Sequence, residues 1–197
     1  MSFVAARATK VDVSQTQGEV YEPAVGFVLT GVMAAGKSTV AELLAQEFER
    51  GVHLRGDIFR KMIVTGRDPI TPELGDEAMR QLDLRQRLAA SAANQYWRDD
   101  FTVVLQDIYA GPALPNVLGR LEISPLYVVV LSPRPDVVAE RAAQRDKSGY
   151  GQWDVEKFCS DFVDETPHVG LWLDTSDQSP EETVEEILHR RYDARVR

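Results

Sequence analysis

The sequence predicts an α/β protein of three layers, with a mostly parallel sheet covered by helices on both faces. Two observations predict it. Short apolar runs alternate with helical patterns from Val25 onward, and four of the five runs lack a regular polar face, as strands do when both sides are covered. The chain of 197 residues, 44% hydrophobic and 27% charged, is also long enough for a sizeable single core.

Residues 1–22 are polar and aperiodic and read as a flexible leader before a domain of residues 23–197. The expected strands are "VGFVLT" (25–30), "VHLR" (52–55), "FTVVLQ" (101–106), "LYVVVL" (126–131) and "GLWLD" (170–174). Between the first two, "KSTVAELLAQEFER" sets Val40, Leu43, Leu44 and Phe48 on one helical stripe. The longest helical pattern runs over about 76–99, and "PALPNVLGRLE" is a short one. "RPDVVAERAAQRD" opens with a proline suited to a first helical turn. "DVEKFCSDFVDET" sets Val155, Phe158, Phe162 and Val163 on one side, with Cys159 expected as a small buried residue. The last helix begins with Ser179 as N-cap, Pro180 at the first position and acids in the first turn.

Several classes are excluded or disfavoured. The apolar runs are too short to span a bilayer, and no secretory apolar region follows the start, so a cytoplasmic location is expected. One cysteine excludes an internal disulfide framework. A net charge of −9 argues against a nucleic-acid partner, because phosphate backbones are repelled by most of such a surface.

The first strand leads into "GVMAAGKS", residues 31–38, which fits G-x-x-x-x-G-K-[ST]. Glycines let the backbone wrap inward, successive N–H groups form an anion nest, and the following helix adds its positive end. Gly31, Val32, Met33, Ala34, Ala35, Gly36, Lys37, Ser38 and Thr39 are therefore the expected nucleotide-binding residues. Lys37 is placed at the β- and γ-phosphates of ATP and Ser38 at Mg2+. The four fixed positions match by accident in roughly one chain in a hundred, and the strand before and helix after make accident rarer still.

Three more positions stand at strand ends, where open α/β sheets bind ligands. Asp57 follows the second strand, with Arg60 on the same helical face. A carboxylate there can take the proton of an alcohol that receives a phosphoryl group, or else merely cap the helix, and a guanidinium can hold substrate or phosphate. Asp107 follows the third strand as a candidate Mg2+ ligand that can instead face the substrate. Arg141 and Arg145 lie four apart before the glycine-bearing "DKSGYGQW", a candidate lid spanning about 141–156 that would close cations over phosphates. Arg67, Arg80, Arg85 and Arg87 could read an anionic substrate, but pairing with Glu73, Asp76, Glu77 and Asp83 is the expectation for most of them.

"GVMAAGKSTVAELL", "GDIFRKM", "VVLQD", "LSPRPDVVAERAAQR" and "LDTSDQSPEETVEEI" together resemble the small P-loop phosphotransferases, from about Val25 to Leu188. That group includes chloramphenicol phosphotransferase, gluconate and shikimate kinases and the kinase domain of polynucleotide kinase; the chloramphenicol phosphotransferase-like branch is the nearest in feel. The resemblance implies a P-loop kinase fold with a parallel five-stranded sheet of order 2-3-1-4-5, Asp57 as base, Arg60 as substrate or phosphate ligand and Arg145 as lid arginine. Gln106 stands where an acidic pair is common, so the role of Asp107 stays open between metal and substrate. The expected activity is transfer of the γ-phosphate of Mg-ATP to a hydroxyl of a small molecule, such as an antibiotic, a sugar or a nucleoside. A 5′-hydroxyl polynucleotide kinase and a P-loop NTP-binding module without an acceptor are the alternatives.

Overall fold

The computed structural model describes residues 23–144 and 153–197. Five strands, β1 (Gly26–Gly31), β2 (Gly51–Arg55), β3 (Thr102–Gln106), β4 (Leu126–Leu131) and β5 (Leu171–Leu173), form one parallel sheet. Their order is β2-β3-β1-β4-β5, as the resemblance implies. β1 lies at the centre, with Gly26 opposite both Val103 and Leu126. Every residue of β1, β3 and β4 is buried, which explains why their sequences carry no polar face. β2 is an edge strand, exposed at Gly51 and Arg55, part-buried at Val52 and His53 and buried at Leu54.

The helices are α1 (Lys37–Gln46), α2 (Asp57–Lys61), α3 (Asp76–Arg98), α4 (Ala113–Arg120), α5 (Pro135–Ala143), α6 (Val155–Glu165) and α7 (Pro180–His189). α1 packs against β3, β2 and α7, while α3 packs against β3, α4 and α2. Right-handed crossovers put α1 and α7 on one face of the sheet and α3 and α4 on the other. α1 buries Val40, Ala41, Leu44 and Ala45; of the expected stripe, Leu43 and Phe48 are only partly buried. The long helix bounded near 76–99 is α3, whose buried alanines Ala78, Ala89, Ala90 and Ala93 allow close approach to the sheet.

The N-terminus of α7 forms as its residues dictate. Ser179 Oγ accepts from the Glu182 N–H at 3.1 Å, and the Glu182 side chain accepts from the Ser179 N–H at 2.7 Å, a reciprocal cap over Pro180. One expectation fails on α6. Cys159 is buried as expected, but Val163 is 48% exposed. The helix turns Cys159 and Phe162 inward together, which rotates Val163 out of the stripe. The proposed leader and residues 145–152 of the proposed lid lie outside the described residues; its flanks are the end of α5 and the start of α6.

Gly51 marks how tightly β2 is joined to α1. A Cβ there would sit 1.8 Å from the Ala45 carbonyl oxygen, which is backbone and has no rotamer to yield. Gly51→Ala is expected to destabilise the protein by about 1–3 kcal/mol, read as a lower urea midpoint at unchanged slope.

Candidate active site

The loop after β1 has the backbone that its sequence calls for. Gly36 adopts φ 92°, a left-handed conformation, and caps α1 without a side chain. Gly31 adopts φ 144°, and a Cβ there would meet the Leu131 carbonyl oxygen at 2.4 Å. Ala34 holds φ 63°, which costs a residue with a Cβ about 1–2 kcal/mol. Strain of this kind persists where the surroundings enforce it and is common in ligand-holding loops. No acid stands in the first turn of α1, so the positive end of the helix is not neutralised locally. Lys37 is nearly buried and its Nζ donates to the carbonyls of Gly31 (2.9 Å) and Val32 (2.7 Å). Ser38 is exposed in the same turn. A glycine cradle, a buried ammonium and an uncapped helix start fit a polyphosphate. Among the described residues no group of three or more His, Cys, Asp or Glu side chains could hold a metal ion.

The ends of β2 and β3 are stitched to this loop. Asp107 N–H donates to the Leu29 carbonyl at 3.2 Å, Gly56 N–H to Gln106 at 2.9 Å, and Tyr109 N–H to Thr30 Oγ1 at 2.9 Å. Gly56 caps α2, so Asp57 stands in the first turn rather than at the cap. The Asp57 carboxylate pairs with Lys61 one turn on and with Arg55 at 3.3 Å through Oδ2, while Oδ1 is buried and has no partner. Burial acts to raise its pKa, but the hydrogen bond and charge of Lys61 and the charge of Arg55 outweigh it, and the carboxyl lies below its ordinary value.

Arg60 donates through Nη2 to the Asp68 carbonyl, and its Nε is buried without a partner. Gln81 of α3 holds this loop: its amide donates to the Gly66 carbonyl at 2.7 Å and its oxygen accepts from the Asp68 N–H at 3.1 Å. Arg60 and Arg67 act on each other, and burial followed by the Arg67 charge lowers the Arg60 pKa.

Asp107 is buried, 4% exposed, and both its oxygens are occupied. Oδ2 accepts from Arg85 Nε at 2.6 Å; Oδ1 accepts from Arg85 Nη2 and from the Ile108 N–H at 2.8 Å. Gly56 walls the carboxylate, since a Cβ there would lie 2.2 Å from Oδ2. The expectation for most of Arg67, Arg80, Arg85 and Arg87 is to pair with nearby acids. Arg80 and Arg87 do so, with Glu77 and Asp83, but Arg85 reaches Asp107, 22 residues away. Burial lowers the Arg85 pKa, Tyr109 and Asp57 act to raise it, and Arg60 lowers it again, so these groups share one electrostatic environment. Tyr109 is fully buried, its hydroxyl lacks a partner, and desolvation drives its pKa upward.

On the other side of the loop, Arg141 Nη2 donates to the Thr175 carbonyl at 2.8 Å, and Arg134 clamps Asp177. Arg141 therefore fastens the turn after β5 to α5. Arg145 lies outside the described residues. The three histidines are spread out, with His53 paired to Glu42 on the edge of the sheet and His168 stacked on Trp172.

Residues 28–166 match the family described as AAA domain. The chain belongs to this family. No curated protein matches it. Among solved structures, a sugar kinase from Janibacter sp. superposes with a TM-score of 0.63 at 18% identity, over 87% of this chain and 96% of that one. The APS kinase of Mycobacterium tuberculosis, solved with AMPPNP and APS, gives 0.64 at 18% identity over 86% and 98%. Shikimate kinase from Acinetobacter baumannii gives 0.57 at 16% over 87% and 95%. At these identities the likeness shows the fold, and this AAA-domain chain has the P-loop kinase fold.

The side chains of the buried Arg85–Asp107 pair are 12% and 3% exposed. Removing one partner strands the other charge, so Arg85→Met is expected to cost about 3–5 kcal/mol in urea unfolding. Adding Asp107→Asn to that variant should recover a large part of the loss.

Proposed function

We propose that the chain is an ATP-dependent phosphotransferase that moves the γ-phosphoryl group of Mg-ATP to a hydroxyl of a small molecule, with Asp57 as the base. The observation that carries this reading is Asp57 itself. It is a part-buried carboxylate at the same sheet edge as the phosphate-binding loop, held ionised by Lys61 and Arg55, with one oxygen left without a partner. An acid that only capped α2 would spend that oxygen on the first-turn N–H groups.

Bound Mg-ATP supplies the transferable phosphoryl group and the metal charge. Residues 31–39 hold its phosphates through backbone N–H groups, and Lys37 exchanges its two loop carbonyls for phosphate oxygens. Ser38 offers its hydroxyl to Mg2+; Asp107, the other candidate at the neighbouring strand end, has both carboxylate oxygens taken by Arg85 and the Ile108 N–H. Asp57 Oδ1 accepts the proton of the acceptor hydroxyl, and Arg60 binds the acceptor or steadies the group in transit. Arg141 supports the nucleotide through the Thr175 turn, and Arg145 closes over the phosphates. The overall charge of −9 keeps nucleic acid a poor acceptor. Among the described residues no helix is long and apolar enough to cross a membrane.

The test is to incubate the protein with Mg-ATP and a panel of alcohols and to search for a mass gain of one phosphoryl group. With an acceptor in hand, Asp57→Asn should lower kcat about 10²- to 10⁴-fold. Turnover at the wild-type rate would remove Asp57 as base, and nucleotide hydrolysis with no phosphorylated alcohol would favour an NTP-binding module. The depressed pKa also fixes the pH dependence. Asp57 stays ionised until pH falls through a value below 3.8, so kcat/KM should hold down to about pH 5 and fall only in more acidic solution.

Lys37→Ala should weaken ATP binding about 10- to 100-fold by equilibrium titration, the scale of a lost charged hydrogen bond.

A further inference from the structure

Three polar atoms stand without partners where α2 meets α3. Asp57 Oδ1 is an acceptor, and Arg60 Nε is a donor; both are buried. The third is Arg85 Nη1. Arg85 spends Nε and Nη2 on Asp107, and among the described residues Nη1 makes no hydrogen bond, although it is not sealed from solvent. One open acceptor and two open guanidinium donors, on residues whose charges act on one another, are the complement of a ligand with a hydroxyl and an oxyanion.

The charge balance points the same way. Arg55, Arg60, Lys61, Arg67 and Arg85 interact here with Asp57, Asp68 and Asp107, which leaves positive charge uncompensated in a protein that is strongly acidic overall. Arg60 and Arg85 are part-buried while Arg55, Lys61 and Arg67 are exposed, and the repulsion between the two desolvated guanidinium groups is relieved when an anion joins them. The pair with Asp107 fixes the plane of the Arg85 guanidinium, because a bidentate fork has one geometry.

We propose that the phosphate acceptor carries an oxyanion, a carboxylate or a phosphate or sulfate ester, that Arg85 binds together with Arg60, and that Asp107 is the positioning residue of Arg85 rather than a ligand of the metal. Arg85 thus determines acceptor specificity. The inference rests on the phosphotransferase reading above, and binding and turnover are tested separately so that each can fail alone.

The binding arm uses inorganic sulfate, and acetate as the carboxylate probe, at ionic strength matched with chloride. Saturating Mg2+ and a non-hydrolysable ATP analogue occupy the phosphate loop. Sulfate or acetate should raise the wild-type Tm by about 2–4 °C when present well above its Kd, and the probe that acts more strongly distinguishes ester from carboxylate. The Arg85→Gln/Asp107→Asn double variant removes both buried charges, keeps a hydrogen-bonding pair and so avoids a stranded carboxylate. It should bind the nucleotide analogue and Mg2+ as wild type does but lose the anion-dependent rise. Arg85→Lys keeps a charge without the fork and should lose affinity about 10-fold or more.

The turnover arm offers Mg-ATP with alcohols paired by charge, each hydroxy acid or sugar phosphate against its neutral amide or unphosphorylated parent. Preference for the charged member, with Arg85→Lys raising KM more than it lowers kcat, supports the inference. A neutral acceptor turned over equally by wild type and the double variant overturns it and leaves the phosphotransferase intact. Anion binding that is unchanged in the double variant, or absent from wild type, also overturns it, as does loss of Mg2+ binding with Asp107→Asn. Anion binding at Arg85 with no acceptor phosphorylated supports the anion site and sinks the phosphotransferase reading instead.

Discussion

The site depends on the burial of β1 between two parallel neighbours. In a parallel sheet all carboxyl ends reach one edge, so the loop after β1 and the turns after β2 and β3 meet there whatever their residues. The hydrogen bonds of Asp107 to Leu29 and of Tyr109 to Thr30 then fix the height of that edge to within a residue. Such a scaffold can keep Ala34 in a left-handed conformation and Lys37 nearly buried, because the 0–1% exposed residues Phe27, Val28 and Leu29 leave β1 no room to relax.

The parts that the sequence disclosed are those governed by local rules. β1, β3 and β4 are continuous apolar runs because they are covered on both faces, and α7 carries its own reciprocal cap. The glycine loop is legible since its residue types are dictated by the backbone that they must adopt. The alignment of Val163 was misjudged because it lies at the edge of the apolar face that Cys159 and Phe162 centre on α6, where a small shift of helix rotation decides whether it is inside. The Arg85–Asp107 pair left no local signal at all. Its partners are 22 residues apart, one on α3 and one just after β3, brought together by the packing of α3 on β3, and Arg85 sits in a run of arginines of which Arg80 and Arg87 do pair along the helix. Gln81 was equally hidden, since a buried glutamine is recognisable only by what it bonds.

α3 emerges as the element that organises the acceptor side. Its alanine face seats it on the sheet; from that seat Gln81 holds the loop at Gly66 and Asp68, which receives Arg60, while Arg85 reaches across to Asp107. Asp57 is held differently, by charges of its own short helix and strand, Lys61 and Arg55. Asp57, the proposed base, and the guanidinium groups proposed to read the acceptor thus belong to different supports. Substitution of Gln81 or Arg85, on the inward side of α3, would change the proposed acceptor side without touching the phosphate loop, which takes its geometry from β1 and α1.

A buried ion pair is rarely the most stable way to fill its space, since an apolar pair of the same volume avoids the desolvation of two charges. The Arg85–Asp107 pair lies almost wholly out of water at the junction of α3 and β3, where leucine or methionine would pack. Stability alone therefore does not account for it. An isolated interior pair would also satisfy its own atoms, whereas Arg85 keeps Nη1 free, and its charge interacts with Asp57 and Arg60. A guanidinium fixed by a bidentate fork presents its remaining donor in one direction with little entropy left to lose on binding. That is the physical difference between a cation that merely balances an acid and one that is held ready for a ligand, and the geometry at Asp107 is of the second kind.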